Sequence, residues 1–146
     1  MGTLTFLIAY ATGEGQTETI GERIGAVLRD RGHTVVLENV DTAEGSAVVS
    51  AFDAVLVGAS IHGGKHQGSI TQFVERNGDA LSERPTAFFQ ISLSSATAEG
   101  DDQAAQYVDQ FIEATGWYPD RIARIGGALR YSKYGFLKRL LTSSPP

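Results

Sequence analysis

Tyr10-Ala11-Thr12-Gly13-Glu14-Gly15-Gln16-Thr17-Glu18 joins two unlike segments. Ahead of it, Thr3 to Tyr10 is a short apolar, β-branched and aromatic run, long enough for a buried strand. Behind it, Thr17 to Arg31 carries Ile20, Ile24, Val27 and Leu28, the i, i+4, i+7, i+8 spacing of one helical stripe. Gly32 stands where a helix C-terminus wants glycine. A strand, a tight glycine turn and a helix make the first half of a βαβ unit.

The same alternation continues outward. Thr34-Val35-Val36-Leu37 reads as a second strand, and Ala54 to Ala59 as a third, apolar throughout and so buried on both faces. Ile70, Phe73 and Val74 mark a helix ending near Asn77-Gly78. Thr86 to Ile91, opened by Pro85, is a fourth strand. Ala104, Val108, Phe111 and Ile112 repeat the helical stripe up to Gly116, and Ile122 to Gly126 is a fifth strand. Apolar strands separated by amphipathic helices predict an α/β fold, a doubly wound three-layer sandwich around a parallel sheet. With 146 residues and no linker, the expectation is one domain over 1–146. Only Tyr131 to Pro146 remains after the fifth strand, so the last helix is expected to be short or missing.

Composition narrows the chemistry. There is no cysteine, which excludes disulfides, thiol catalysis and cysteine metal centres, so any redox chemistry must come from a bound cofactor. No apolar run reaches the length of about eighteen residues that a membrane span needs, and no secretory signal is evident, so a cytoplasmic location is expected. The net charge of −5 is unevenly spread. All 17 acids lie in residues 1–120, whereas residues 121–146 hold six of the 12 Lys/Arg and no acid. The basic 121–139 segment would meet something anionic, a phospholipid surface, a carboxylate-bearing substrate or an acidic partner; equally it would serve as a solvated basic end. Nucleic acid is not expected, because the acidic body would repel its phosphates.

The glycine turn is suited to an anion. Its two glycines let the backbone approach a ligand, Thr12 and Thr17 offer hydroxyls, and the first N–H groups of the helix are free. It is neither a P-loop nor the dinucleotide fingerprint, since the lysine and the glycine spacing are absent. Hydroxyls and amides without a cation fit a permanently held phosphate monoester; the same residues would also make an ordinary capped helix behind a glycine-rich turn. His62 and His66 flank Gly-Gly-Lys, but no third ligand is evident and no metal site is expected. Trp117 and Tyr118, between a helix end and Pro119, are expected to pack in the core or cap the helix.

Thr12 to Glu18 resembles the phosphate loop of flavodoxins, which holds the phosphate of FMN. Gly58-Ala59-Ser60-Ile61-His62-Gly63-Gly64 is similar to their first flavin-ring loop, and Ile91-Ser92-Leu93-Ser94-Ser95-Ala96 falls where the second would lie. Within that superfamily, Gly58 to Ile61, Ala87-Phe88-Phe89 with Ser92-Leu93, and Gly126-Gly127-Ala128-Leu129-Arg130-Tyr131 with Tyr134 resemble the menaquinone-linked protoporphyrinogen oxidases. The resemblance implies a flavodoxin-like five-stranded parallel sheet of order 2-1-3-4-5. Its family continues past the fifth strand with a further helical segment.

The resemblance also implies roles. Thr12, Glu14, Gly15, Gln16 and Thr17 would cradle the FMN phosphate, Glu14 through its backbone alone. Ser60, Ile61, His62, Gly63 and Gly64 would pack against the flavin ring from one side, and Ser92, Leu93 and Ser94 from the other. Flavodoxins usually stack a Trp or Tyr on the flavin; here the first loop offers only His62, and Tyr131 or Tyr134 would supply a face from the tail. Arg130, Tyr131 and Lys133 would meet the substrate, with Arg130 forked to a porphyrin propionate; a surface arginine is the plain alternative. The implied activity is FMN-dependent oxidation of a porphyrinogen or other planar substrate, with a quinone or a redox partner protein as acceptor and peripheral membrane contact through 121–139. A flavodoxin-type electron carrier without its own substrate is the alternative, and a flavin-free regulatory domain of the same shape is a third.

Overall fold

The computed structural model describes residues 3–11, 16–41, 48–62, 65–66, 68–91 and 98–125. Strand β1 (Thr5–Tyr10) lies beside β2 (Thr34–Asn39) and β3 (Ala54–His62), all parallel. Beyond β3 come β5 (Thr86–Ile91) and β6 (Arg121–Ile125), also parallel, giving the order β2-β1-β3-β5-β6. This is the expected five-strand order. A two-residue strand β4 (Lys65–His66) turns back antiparallel on β3.

Helices cover both faces because strand residues of both parities are apolar. On one face, Phe6, Ile8, Leu56, Phe89, Ile91 and Ile125 pack with Ile20, Ile24 and Leu28 of α1 (Gln16–Asp30). On the other, Leu7, Ala9, Val55, Val57 and Phe88 pack with α2 (Gly68–Arg76), α3 (Gly78–Ser82) and α4 (Ala98–Thr115). Within the second core Phe88 stacks on Phe111 at 4.6 Å, and Trp117 meets both rings edge-on.

Local chemistry fixes the element ends. Gly32 sits at φ +92°, where a side chain would be strained, and the amides of Gly32 and His33 return to the Arg29 and Leu28 carbonyls. Asn77 ends α2 by donating its side-chain amide to the Phe73 carbonyl at 2.8 Å. The predicted stop there is correct, but a second short helix, α3, follows at once and buries Leu81. A 3-10 turn over Val49–Ala51 precedes β3. Trp117 is core, as expected, whereas Tyr118 is 77% exposed and does not pack in the core.

At the amino edge of the sheet, Asp53 accepts hydrogen bonds from the Thr5 amide at 2.8 Å and its hydroxyl at 3.0 Å, tying β1 to the start of β3. Arg84 donates to the carbonyls of Ala80, Phe52 and Ser50 and so clamps α3 to the 3-10 turn. Among the described residues no helix is long and apolar enough to cross a membrane. The expected short or missing last helix lies outside the described residues.

Candidate functional site at the carboxyl edge

Strand direction and register converge on one edge. Tyr10 pairs with Gly58, Ser60 with Ile91, and Ile91 with Ile125, so β1, β3, β5 and β6 all end at the same side of the sheet. The chain leaves β1 toward β2 and then crosses to β3 on the far side, so its direction of winding reverses between β1 and β3. Open parallel sheets bind ligands in the crevice at such a reversal.

The described residues at this edge are buried yet polar. Thr17, in the first turn of α1, is 1% exposed. Ser60 is 8% exposed, and its Oγ is buried with no hydrogen-bond partner among the described residues. Such an orphan costs roughly 1–3 kcal/mol unless something else bonds it. Tyr10, on the α1 face, is also buried. Burial pushes its phenol pKa up, and the carboxylates of Glu18 and Glu22, with a hydrogen bond to Glu18, push it further. Tyr10 therefore stays protonated, its O–H donated toward the first turn of α1.

Packing sets the close approach of these strands. A Cβ at Gly58 would lie 2.1 Å from the Phe89 ring, so the ring lies directly against the Gly58 backbone. Only a residue without a side chain lets β3 and β5 pair with Phe89 folded over that point. Two residues further along β3 is Ser60, on the same face.

Past the end of β3 the chain pairs back on itself. The register pairs Ile61 with His66 and His62 with Lys65, antiparallel. His62 and His66 are thus not cross-strand partners. Among the described residues no three His, Asp or Glu gather as a metal site.

Of the sequence-predicted site, the structure brings Gln16 and Thr17 at the start of α1 to the same edge as Ser60, Ile61 and His62 at the end of β3, with Ile61 half-buried. Thr12, Glu14, Gly15, Gly63, Gly64, Ser92, Leu93, Ser94, Arg130, Tyr131 and Lys133 lie outside the described residues, although their segments start from the same edge. Sequence reasoning missed Tyr10 and Gln90. Gln90 is fully buried in β5, and its Nε2 donates to the Ala104 carbonyl of α4 at 2.8 Å. Its signal was an amide in an otherwise apolar strand.

Known proteins share this fold. The family model of the flavodoxin domain matches residues 7–143. A protoporphyrinogen IX dehydrogenase (quinone) of Escherichia coli strain K12 is 32% identical over 136 residues, which cover 92% of this chain and 75% of that protein. A protein of the same name from Leishmania major is 31% identical over 92% of this chain and 59% of its own length. Among solved structures, a short-chain flavodoxin associated with a bacterial microcompartment superposes with a TM-score of 0.72 at 13% identity, covering 98% of this chain and 100% of that one. A flavoprotein in complex with FMN from Lactobacillus acidophilus gives 0.62 at 13% identity, covering 93% and 99%. At those identities the structures share the fold.

Proposed function

Because this chain belongs to the flavodoxin domain family, we propose that it binds FMN at the carboxyl edge of its sheet and oxidises protoporphyrinogen IX, with a quinone as acceptor. One observation carries the reading. The edge at the β1/β3 reversal holds a buried hydroxyl without a partner among the described residues, in a chain whose relatives over 92% of its length are protoporphyrinogen dehydrogenases. A polar ligand atom beside Ser60 Oγ would satisfy it, so the residues present fit the cofactor.

Bound FMN would supply the electron-accepting chemistry, and the protein would supply binding, orientation and electrostatics. The phosphate falls to Thr12, Glu14, Gly15, Gln16 and Thr17, where the first turn of α1 has N–H groups without helical partners. Ser60 donates from a site largely closed to water, where a hydrogen bond is stronger than in solvent. Tyr10 holds its proton and so adds no negative charge near a phosphate. Ile61, His62, Gly63 and Gly64 would line one side of the ring, and Ser92, Leu93 and Ser94 the other. Arg130, Tyr131 and Lys133 receive the planar substrate, with the guanidinium forked to a carboxylate. In this reading residues 1–146 act as one domain, located in the cytoplasm, and the basic 121–139 segment rests on an anionic membrane surface where a lipid-soluble quinone is found.

The test is anaerobic turnover. FMN-loaded protein, protoporphyrinogen IX and a menaquinone analogue are mixed, and porphyrin fluorescence is followed. The reading expects a rise that requires both protein-bound FMN and quinone. No rise above free FMN, from folded and loaded protein, would remove the porphyrinogen reading and leave the electron carrier.

A further inference from the structure

Helix α4 is pinned to the sheet at two levels of different chemistry. Far from the carboxyl edge, Phe111 stacks on Phe88, and Trp117 closes the cluster. Nearer that edge, Ala104 is the first buried residue of α4 among its described side chains. There Gln90 Nε2 donates a hydrogen bond to the Ala104 carbonyl at 2.8 Å. Gln90 is 0% exposed and lies on the Phe88 side of β5, one residue before the strand ends.

A buried amide is an unusual choice at such a place. Leucine or methionine would fill the volume without the cost of desolvating an amide. An apolar contact, however, lets a helix slide along a strand, whereas a hydrogen bond at this distance is held in length and direction. The Ala104 carbonyl has a second lone pair, so it accepts from Gln90 without leaving the helix ladder. α4 also lies against β4, the return strand of the hairpin that follows β3. Its position therefore bears on that hairpin as well as on the chain that runs from Ile91 into the helix.

Resting on the FMN reading above, we propose that Gln90 is a positioning residue: its buried amide fixes the near half of α4 against β5 and thereby sets where the two ring-flanking segments stand. Gln90 does not touch the flavin. It acts through α4.

Two variants separate positioning from plain stability. Gln90→Met keeps the volume and removes the bond; Phe111→Leu weakens the aromatic anchor at the far level. Each is measured for apo stability in urea, for FMN dissociation constant by flavin fluorescence, and for the visible circular dichroism of bound flavin. Amide hydrogen exchange of the apo-protein reports residues 91–103 without any ligand. The expected result is that Q90M stays folded, binds FMN about tenfold more weakly, changes the visible dichroism and exchanges faster over 91–103. F111L should lose at least as much stability while holding the dissociation constant within about threefold and leaving the dichroism unchanged. Wild-type affinity, dichroism and exchange in Q90M would overturn the proposal, as would an equal loss of FMN in both variants. A wild-type chain that takes up no FMN would overturn the FMN reading and this inference together, whereas a wild type that binds while Q90M binds equally well overturns this inference alone.

Discussion

Replacing Gly58 by alanine should damage this protein more than any other addition of a single methyl at a described glycine. The new Cβ would stand 2.1, 2.4 and 2.8 Å from three carbons of the Phe89 ring, against ordinary contact at 3.4–4 Å. Gly58 and Phe89 are register partners, so the ladder between β3 and β5 holds their separation. Phe89 is 0% exposed and packed on all sides. Something must move by more than an ångström. Overpacking of a filled core typically costs 1–3 kcal/mol, and this overlap belongs at the top of that range, about 3 kcal/mol. For a domain of this size that corresponds to a melting temperature lower by about 6–12 °C. Phe89→Leu alone should cost about 1–2 kcal/mol, but it also clears the space the methyl needs. The double variant G58A/F89L should therefore be less destabilised than the sum by at least about 1 kcal/mol. Urea unfolding of the four proteins, followed by far-UV circular dichroism, gives the cycle directly. A G58A protein within about 0.5 kcal/mol of wild type, or strict additivity in the double variant, would refute the packing argument.

Arg84→Ala should cost about 2 kcal/mol in urea unfolding, because the carbonyls of Ala80, Phe52 and Ser50 lose a shared charged donor. Arg84→Lys should recover little of it, since an ammonium cannot reproduce the fork, while Glu83→Gln should stay within about 0.5 kcal/mol because that ion pair is long and exposed at Glu83. The Thr5 amide and hydroxyl hold the Asp53 carboxyl below its ordinary value of 3.8. The folded state thus favours the carboxylate, and the advantage of wild type over Asp53→Asn should be complete at neutral pH and fade as the pH falls below that value, as read from acid-to-neutral urea midpoints. Tyr10 is shifted the other way, so spectrophotometric titration should show one tyrosine ionising above the ordinary 10.0, absent in Tyr10→Phe. The advantage of wild type over Y10F should hold below that pH and be lost as the pH rises through the folded value.

Much of the fold was legible because it rests on one-dimensional signals. Phe6–Tyr10 and Ala54–Ala59 are unbroken apolar runs, Thr86–Ile91 is apolar but for Thr86 and Gln90, and a run without alternation means a strand buried on both faces. Gly32 and Gly116 marked helix ends, and both adopt the positive φ that such ends require. The short α3 was not legible, because Gly-Asp-Ala-Leu-Ser offers two adjacent apolar residues and no period. The return strand β4 is two residues long and reveals itself only by pairing with β3. The neighbours Trp117 and Tyr118 look alike in sequence, yet the chain's turn after Gly116 buries one and exposes the other. At the site, the start of α1 and the end of β3 were readable from residue type. The orphan hydroxyl of Ser60, the shielded phenol of Tyr10 and the Gln90 tie were not, because each depends on what a neighbouring element places opposite it.

The most direct test of the central claim is a pair of FMN titrations, of wild type and Ser60→Ala, followed by flavin fluorescence and by the absorption spectrum after desalting. The account predicts that wild type retains flavin in equal proportion to protein. It predicts that S60A binds about tenfold more weakly, while its apo form is as stable as wild type or more so, having lost a buried hydroxyl without a partner among the described residues. A folded wild-type protein that leaves the column colourless, or an S60A protein that binds FMN as tightly as wild type, would contradict it.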